Sequence, residues 1–235
     1  MNRNIYVYLL NKKAENPETL YEKKKSKYLN VNAALIESLD AYVSSSGKRN
    51  KDERFITAAL ILESVFDLIG FASFPIPGAI KKDLMGKPDF IDSNVKLSIA
   101  HNEDYAVVAY TIGREIGVDI EGEIDPKKVE NLSGRFPGIS SINIENKESE
   151  EETSGKIIFL EMKKNGPFEP LNLTPPDNSF TAKWTAAEAI MKCDGRGFSA
   201  LGNLGDIKNS MSLSTFKTEK NDKKIYISLA IKNIL

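Results

Sequence analysis

With 235 residues, 41% apolar and 28% charged, the chain has enough apolar sequence to bury a core, in one large domain or two small halves. A net charge of −1 excludes a global basic field for nucleic acid or anionic membrane, so an anionic ligand has to be held by a local pocket. One cysteine, Cys193, excludes an internal disulfide and fits a reducing cytoplasm.

The opening MNRNIYVYLLNKK holds too short an apolar run for a signal peptide and reads as a first strand. A charged helical region follows over about 17–45, with EKKKSK as a solvated face. SSSGKRNKDE leads into a long helix over 54–69. Glu63 and Asp67, four apart, break the apolar stretch FITAALILESVFDLIGF (55–71) and make it a buried amphipathic helix, not a membrane span. FPIPG and GKPDF (86–90) are turns. VKLSIAHN and DYAVVAYTI read as two strands joined by a tight polar turn, and EIGVDIE follows as a third.

In the second half, DPKKVENLSGRF reads as a helix. ISSINIE and KIIFLEM read as a hairpin near 139–162, with the acidic NKESEEETSG as its solvated tip. A Pro-rich loop leads into KWTAAEAIMKCDGRGF, a helix stopped by Gly195 or Gly197 in the left-handed conformation. SLSTFKT and KIYISLAIKNI close the order as antiparallel strands.

Three features carry chemistry. In GVDIE (117–121), Val118 and Ile120 alternate with Asp119 and Glu121, so both acids project from one strand face. Two like charges side by side need either a wet edge or a cation. Acid-x-acid arises about five times by chance in a chain with 33 acids, so the pair alone leaves both readings open. Trp184, Glu188 and Lys192, four apart, form one helical stripe. Glu188 reads equally as half of a surface pair with Lys192, as the end of a T-x-x-E capping box with Thr185, or as a functional acid. His101, the only histidine, stands where a strand turns, a place for a structural residue or for a phosphate contact. No zinc spacing, P-loop or GxGxxG occurs. Cys193 lacks a partner base and reads as a small buried residue.

Taken in order, GKP (86–88), LSIAHN (97–102), GVDIE (117–121) and WTAAEAIMKCDGRG (184–197) resemble the motifs of the 4′-phosphopantetheinyl transferases. The chain length is similar to the larger, pseudo-dimeric branch. The resemblance implies an α+β fold of two similar α/β subdomains related by a pseudo-two-fold axis, each with antiparallel strands packed on helices. An N-terminal lobe would span 1–115, and a C-terminal lobe 116–235 would carry the metal site and the inserted hairpin near 139–162.

The implied activity moves the 4′-phosphopantetheine group of coenzyme A to a serine of an acyl or peptidyl carrier protein and releases adenosine 3′,5′-bisphosphate. Magnesium, or manganese in its place, is the implied metal, and coenzyme A is the co-substrate. By the resemblance, Asp119, Glu121 and Glu188 match the metal-holding carboxylates, and Glu188 and Lys192 match the catalytic pair. Lys192 also matches the lysine that contacts the diphosphate in that family. Lys87 and His101 match positions that bind coenzyme A phosphates, and Arg54 matches an arginine near the 3′-phosphoadenosine group. A cytoplasmic monomer serving lipid or secondary metabolite synthesis is implied, without nucleic-acid or membrane partners. Lys48, Arg49 and Lys51 are expected to steer an acidic carrier or grip the 3′-phosphate. Two features depart from the family. Ala187 stands where a lysine usually precedes the glutamate, and the stretch from Glu121 to Trp184 is long. Two rival readings are a weak or inactive coenzyme A binder and a magnesium phosphohydrolase.

Overall fold

IYVYLLN is apolar at all but its last position, and six of its seven residues are buried. A strand apolar on both faces has to lie between two layers, and it does. The computed structural model describes residues 4–13, 15–45, 51–72, 78–82, 87–91, 93–144, 156–163, 167–197, 199 and 203–233. In chain order the first half runs β1 (Ile5–Asn11), α1 (Pro17–Tyr28), α2 (Ala33–Ser44), α3 (Lys51–Ala72), β2 (Ile80–Lys82), β3 (Pro88–Phe90), β4 (Val95–His101), β5 (Tyr105–Ile112) and β6 (Ile116–Gly122). The second runs α4 (Pro126–Arg135), β7 (Ile157–Met162), β8 (Phe168–Pro170), α5 (Phe180–Asp194), α6 (Leu204–Asn209), β9 (Met211–Lys220) and β10 (Lys223–Lys232).

The chain is a mixed α+β protein with two main sheets. The first has the order β4-β5-β1-β7-β8; the second, β6-β10-β9, is antiparallel throughout. Tyr6, Tyr8 and Leu10 of β1 point into a core shared with α1, α2 and α3. Ile5, Val7 and Leu9 point the other way, against Val118 and Ile120 of β6 and Ile225, Ile227 and Leu229 of β10. A third core joins the far face of the second sheet to α5 and α6 through Trp184, Ile190, Leu204 and Tyr226. The layers therefore stack helix, sheet, sheet, helix.

Local signals explain the boundaries. Asn16 caps α1 by accepting from Thr19 N at 3.0 Å, with Pro17 in the first turn. Asn32 caps α2, so the helical region 17–45 is two helices and not one. At the β9–β10 turn Asn221 and Asp222 both have positive φ, 50° and 59°, the pair of left-handed residues that a type I′ hairpin needs. The long helix begins at Lys51, three residues before its expected start, so Arg54 lies inside it.

The hairpin expected near 139–162 is not formed as read. Residues 137–141 make a 3-10 turn that buries Ile139, while Ile142 and Ile144 join the α5 core. KIIFLEM does form a strand, β7, but it runs parallel to β1 and extends the first sheet together with β8. The acidic tip over 145–155 lies outside the described residues. Among the described residues no helix is long and apolar enough to cross a membrane.

Candidate metal centre at the seam of the two sheets

β6 is the edge of the second sheet and runs beside β4, the edge of the first. The two are tied where Val118 N donates to Ser98 Oγ at 3.0 Å. Val118 and Ile120 are fully buried between the sheets. By strand alternation Gly117, Asp119 and Glu121 then face the other way, towards α5. α5 is capped by Ser179, which accepts from Ala182 N, and stopped by Gly195 at φ 83°. Its position brings Glu188 to the two strand acids. One carboxylate oxygen from each of Asp119, Glu121 and Glu188 lies within 4.8 Å of the others.

This placement removes the two plain readings of Glu188. Thr185 is no cap: it sits mid-helix and donates to Thr181 O at 2.7 Å. Lys192 pairs not with Glu188 but with Asp119, Nζ to Oδ1 at 2.7 Å. No ion pair reaches Glu121 or Glu188 among the described residues. Asp119 is only 2% exposed, and its Oδ2 has no hydrogen-bond partner. A buried carboxylate oxygen without a donor costs free energy unless something else takes it up.

The electrostatics follow. Burial, with the Asp119 charge behind it, pushes Glu188 up to about 8, against the Lys192 ammonium. Burial and Asp119 likewise push Glu121 up to about 7, with Lys192 and Lys128 opposing. Once all three acids are ionised, three carboxylates against one ammonium leave two negative charges, the complement of one divalent cation. An all-oxygen set suits a hard ion such as magnesium, manganese or calcium. The buried, unpartnered Asp119 Oδ2 beside two carboxyls of raised pKa is a donor set that fits such an ion.

The remaining expected residues divide. His101 ends β4 and is exposed, yet desolvation by surrounding protein lowers its pKa, with Lys192 and Lys12 adding to that against Glu53 and Asp119. Asp119 and Lys192 both act on it, so it stands close to the carboxylate cluster. Lys87 instead bonds Glu115 Oε2 at 3.0 Å and Ile116 O at 3.1 Å, at the start of β6. Arg54 is buried in α3, where its charge is felt by Tyr42. Lys51 is exposed over the Phe55 ring. Gly86, Lys48 and Arg49 lie outside the described residues. Trp184 packs between Phe136 and Phe180 in the α5 core, and Ala187 is fully buried there as well. Burial raises the Cys193 thiol to about 11, which keeps it protonated and inert at neutral pH.

Sequence reading missed Lys12 and Glu53. Lys12 Nζ bridges Glu53 Oε1 at 3.1 Å and Asn102 O at 2.8 Å, and both charges act on His101. Nothing local marks either one, since they are ordinary charges 41 residues apart.

No protein-family model matches this chain, and no curated protein matches it.

Proposed function

We propose that the protein is a magnesium-dependent 4′-phosphopantetheinyl transferase of the two-lobed kind, acting on an acyl or peptidyl carrier protein in the cytoplasm as a monomer. The observation that carries this is the convergence of Asp119, Glu121 and Glu188 on one point with a buried, unpartnered Asp119 oxygen. The reading extends to the fold. The two helix-backed sheets on either side of a shared core are taken as the two pseudo-symmetric lobes, 1–115 and 116–235, with β7 and β8 as an insertion of the second.

Magnesium, when bound, supplies Lewis-acid stabilisation of the negative charge that grows on the diphosphate. Asp119, Glu121 and Glu188 would hold it. Lys192, released from Asp119, binds a diphosphate oxygen. His101, with its lowered pKa, meets a phosphate as a hydrogen-bonding imidazole. The serine Oγ forms a bond to the β-phosphorus while the bond from that phosphorus to the bridging oxygen breaks. Adenosine 3′,5′-bisphosphate leaves with the negative charge. The serine proton passes to a carboxylate oxygen of Glu188 or to a water at the site, the two groups placed to take it.

The test is intact mass of several unmodified carrier proteins incubated with the protein, coenzyme A and magnesium, with and without chelator. A metal-dependent phosphopantetheine adduct is the expected result; no adduct on any carrier rejects the transferase. One observation favours a second reading, that of a non-catalytic coenzyme A binder: the Lys192 ammonium sits on Asp119 Oδ1, and Ala187, where a lysine is expected, is fully buried. Coenzyme A binding without carrier modification would establish it.

A further inference from the structure

Gly117 is where β6 and α5 meet backbone to backbone. A Cβ built there would stand 2.0 Å from the Ala189 carbonyl oxygen and 2.4 Å from the Cys193 amide nitrogen, with Cys193 Cβ at 3.0 Å. Those two α5 atoms are partners in the helical i→i−4 ladder, so Gly117 lies against a hydrogen bond and no side chain can be trimmed to make room. Glu188 and Lys192, the helix's contributions to the cluster, immediately precede Ala189 and Cys193. Asp119 follows Gly117 by two residues on the same strand face, and Glu121 follows next. One contact thus sets the separation between the strand acids and the helix acid.

We infer that Gly117 is a positioning residue that gauges the centre for a small cation, holding α5 near enough to β6 for three carboxylates to close on an ion of magnesium's size. The inference rests on the proposed metal centre. Magnesium takes oxygens at about 2.0–2.1 Å in a strict octahedron, whereas calcium accepts about 2.3–2.6 Å and irregular shells. A methyl at 117 falls about 1.4 Å short of the 3.4 Å of ordinary contact with Ala189 O, so α5 has to move outward. A site widened by that amount weakens both ions, and weakens the small ion with its strict octahedron more than the large one with its irregular shell.

Calorimetric titration of the full chain with Mg²⁺ alone and Ca²⁺ alone decides it. In G117A the magnesium affinity is expected to fall about tenfold more than the calcium affinity, because the octahedral shell accepts less displacement than the irregular one. Gly122→Ala, whose Cβ would meet nothing within 4 Å, should leave the ratio of the two affinities as in the wild type. Cys193→Val wedges the same contact from the helix side and should shift the ratio in the same direction by less. It also serves if G117A does not fold. An unchanged Mg²⁺/Ca²⁺ ratio in the folded wedge variants overturns the gauge while leaving the metal centre standing. A wild-type protein that binds neither ion removes both.

Discussion

At the scale of single residues, the site is a concentration of like charge that the fold keeps instead of dispersing. Glu121 is half-buried, has no cationic partner among the described residues and is held near neutrality by burial and Asp119. Glu121→Gln keeps its shape and removes its charge. Metal-dependent turnover is expected to fall at least about a hundredfold, as for loss of a liganding group. The metal-free melting temperature should hold or rise, because a repulsive buried charge has gone. Activity assays and thermal melts on one preparation check both; equal loss of the two would make Glu121 structural. Lys192 predicts the reverse pattern. Lys192→Met strips the counter-charge from Asp119, whose side chain is 3% exposed, and is expected to cost about 2 kcal/mol in denaturant unfolding without metal. A divalent cation should restore part of it. The strand acids and Glu188 were legible as motif residues. The Lys192–Asp119 pair was not, because helical spacing pointed Lys192 at Glu188 and nothing local reveals a partner 73 residues away.

Among the elements, α5 shows what local sequence secures. Ser179 and Gly195 bracket it, and the helix begins and ends where they stand. Ser179→Ala is expected to cost about 1 kcal/mol, and Gly195→Ala, at φ 83°, a similar amount of about 1 kcal/mol. Chemical denaturation measures each, and neither should alter the Mg²⁺/Ca²⁺ preference. β4, β6, β9 and β10 were also readable from apolar residues that recur at strand spacing, and β1 and β5 from short apolar runs bounded by polar turn residues. ISSINIE misled. Ile139 and Ile142 are three apart, a spacing that brings side chains together on a 3-10 turn as well as Ile142 and Ile144 do on a strand. Burial against α5 settled it, and no propensity records that contact. α6 was missed for the same reason: six residues whose Leu204 and Ile207 are held by the α5 core.

Across the whole molecule, proton uptake and stability are linked through the same cluster. Folded Glu121 and Glu188 keep their protons to about 7 and about 8, well above the ordinary carboxyl range. Folding therefore binds protons in that interval, and the associated stability is complete below the ordinary carboxyl pKa and lost as pH rises through the folded values. His101 works in the opposite direction but only below its ordinary pKa, so the window above about 6.5 belongs to the two acids. The metal-free protein should melt at lower temperature as pH goes from about 6.5 to 8.5. Glu188→Gln should flatten that slope, and added magnesium should raise the melting temperature more at the alkaline end. A slope unchanged in Glu188→Gln would place the titrating groups elsewhere.

The parallel pairing of β1 with β7 also bears on synthesis of the chain. Ile5 takes Ile157 as its neighbour, and the register runs on to Leu10 and Met162. On a nascent chain growing at about 5–20 residues per second, β1 waits roughly 10–30 seconds for that neighbour to be made. Through that interval its unfilled flank presents bare amides and carbonyls to whatever strand passes. A fragment stopped at residue 115 holds β1 in that condition permanently, and is expected to sediment as aggregate where the full-length chain stays monodisperse.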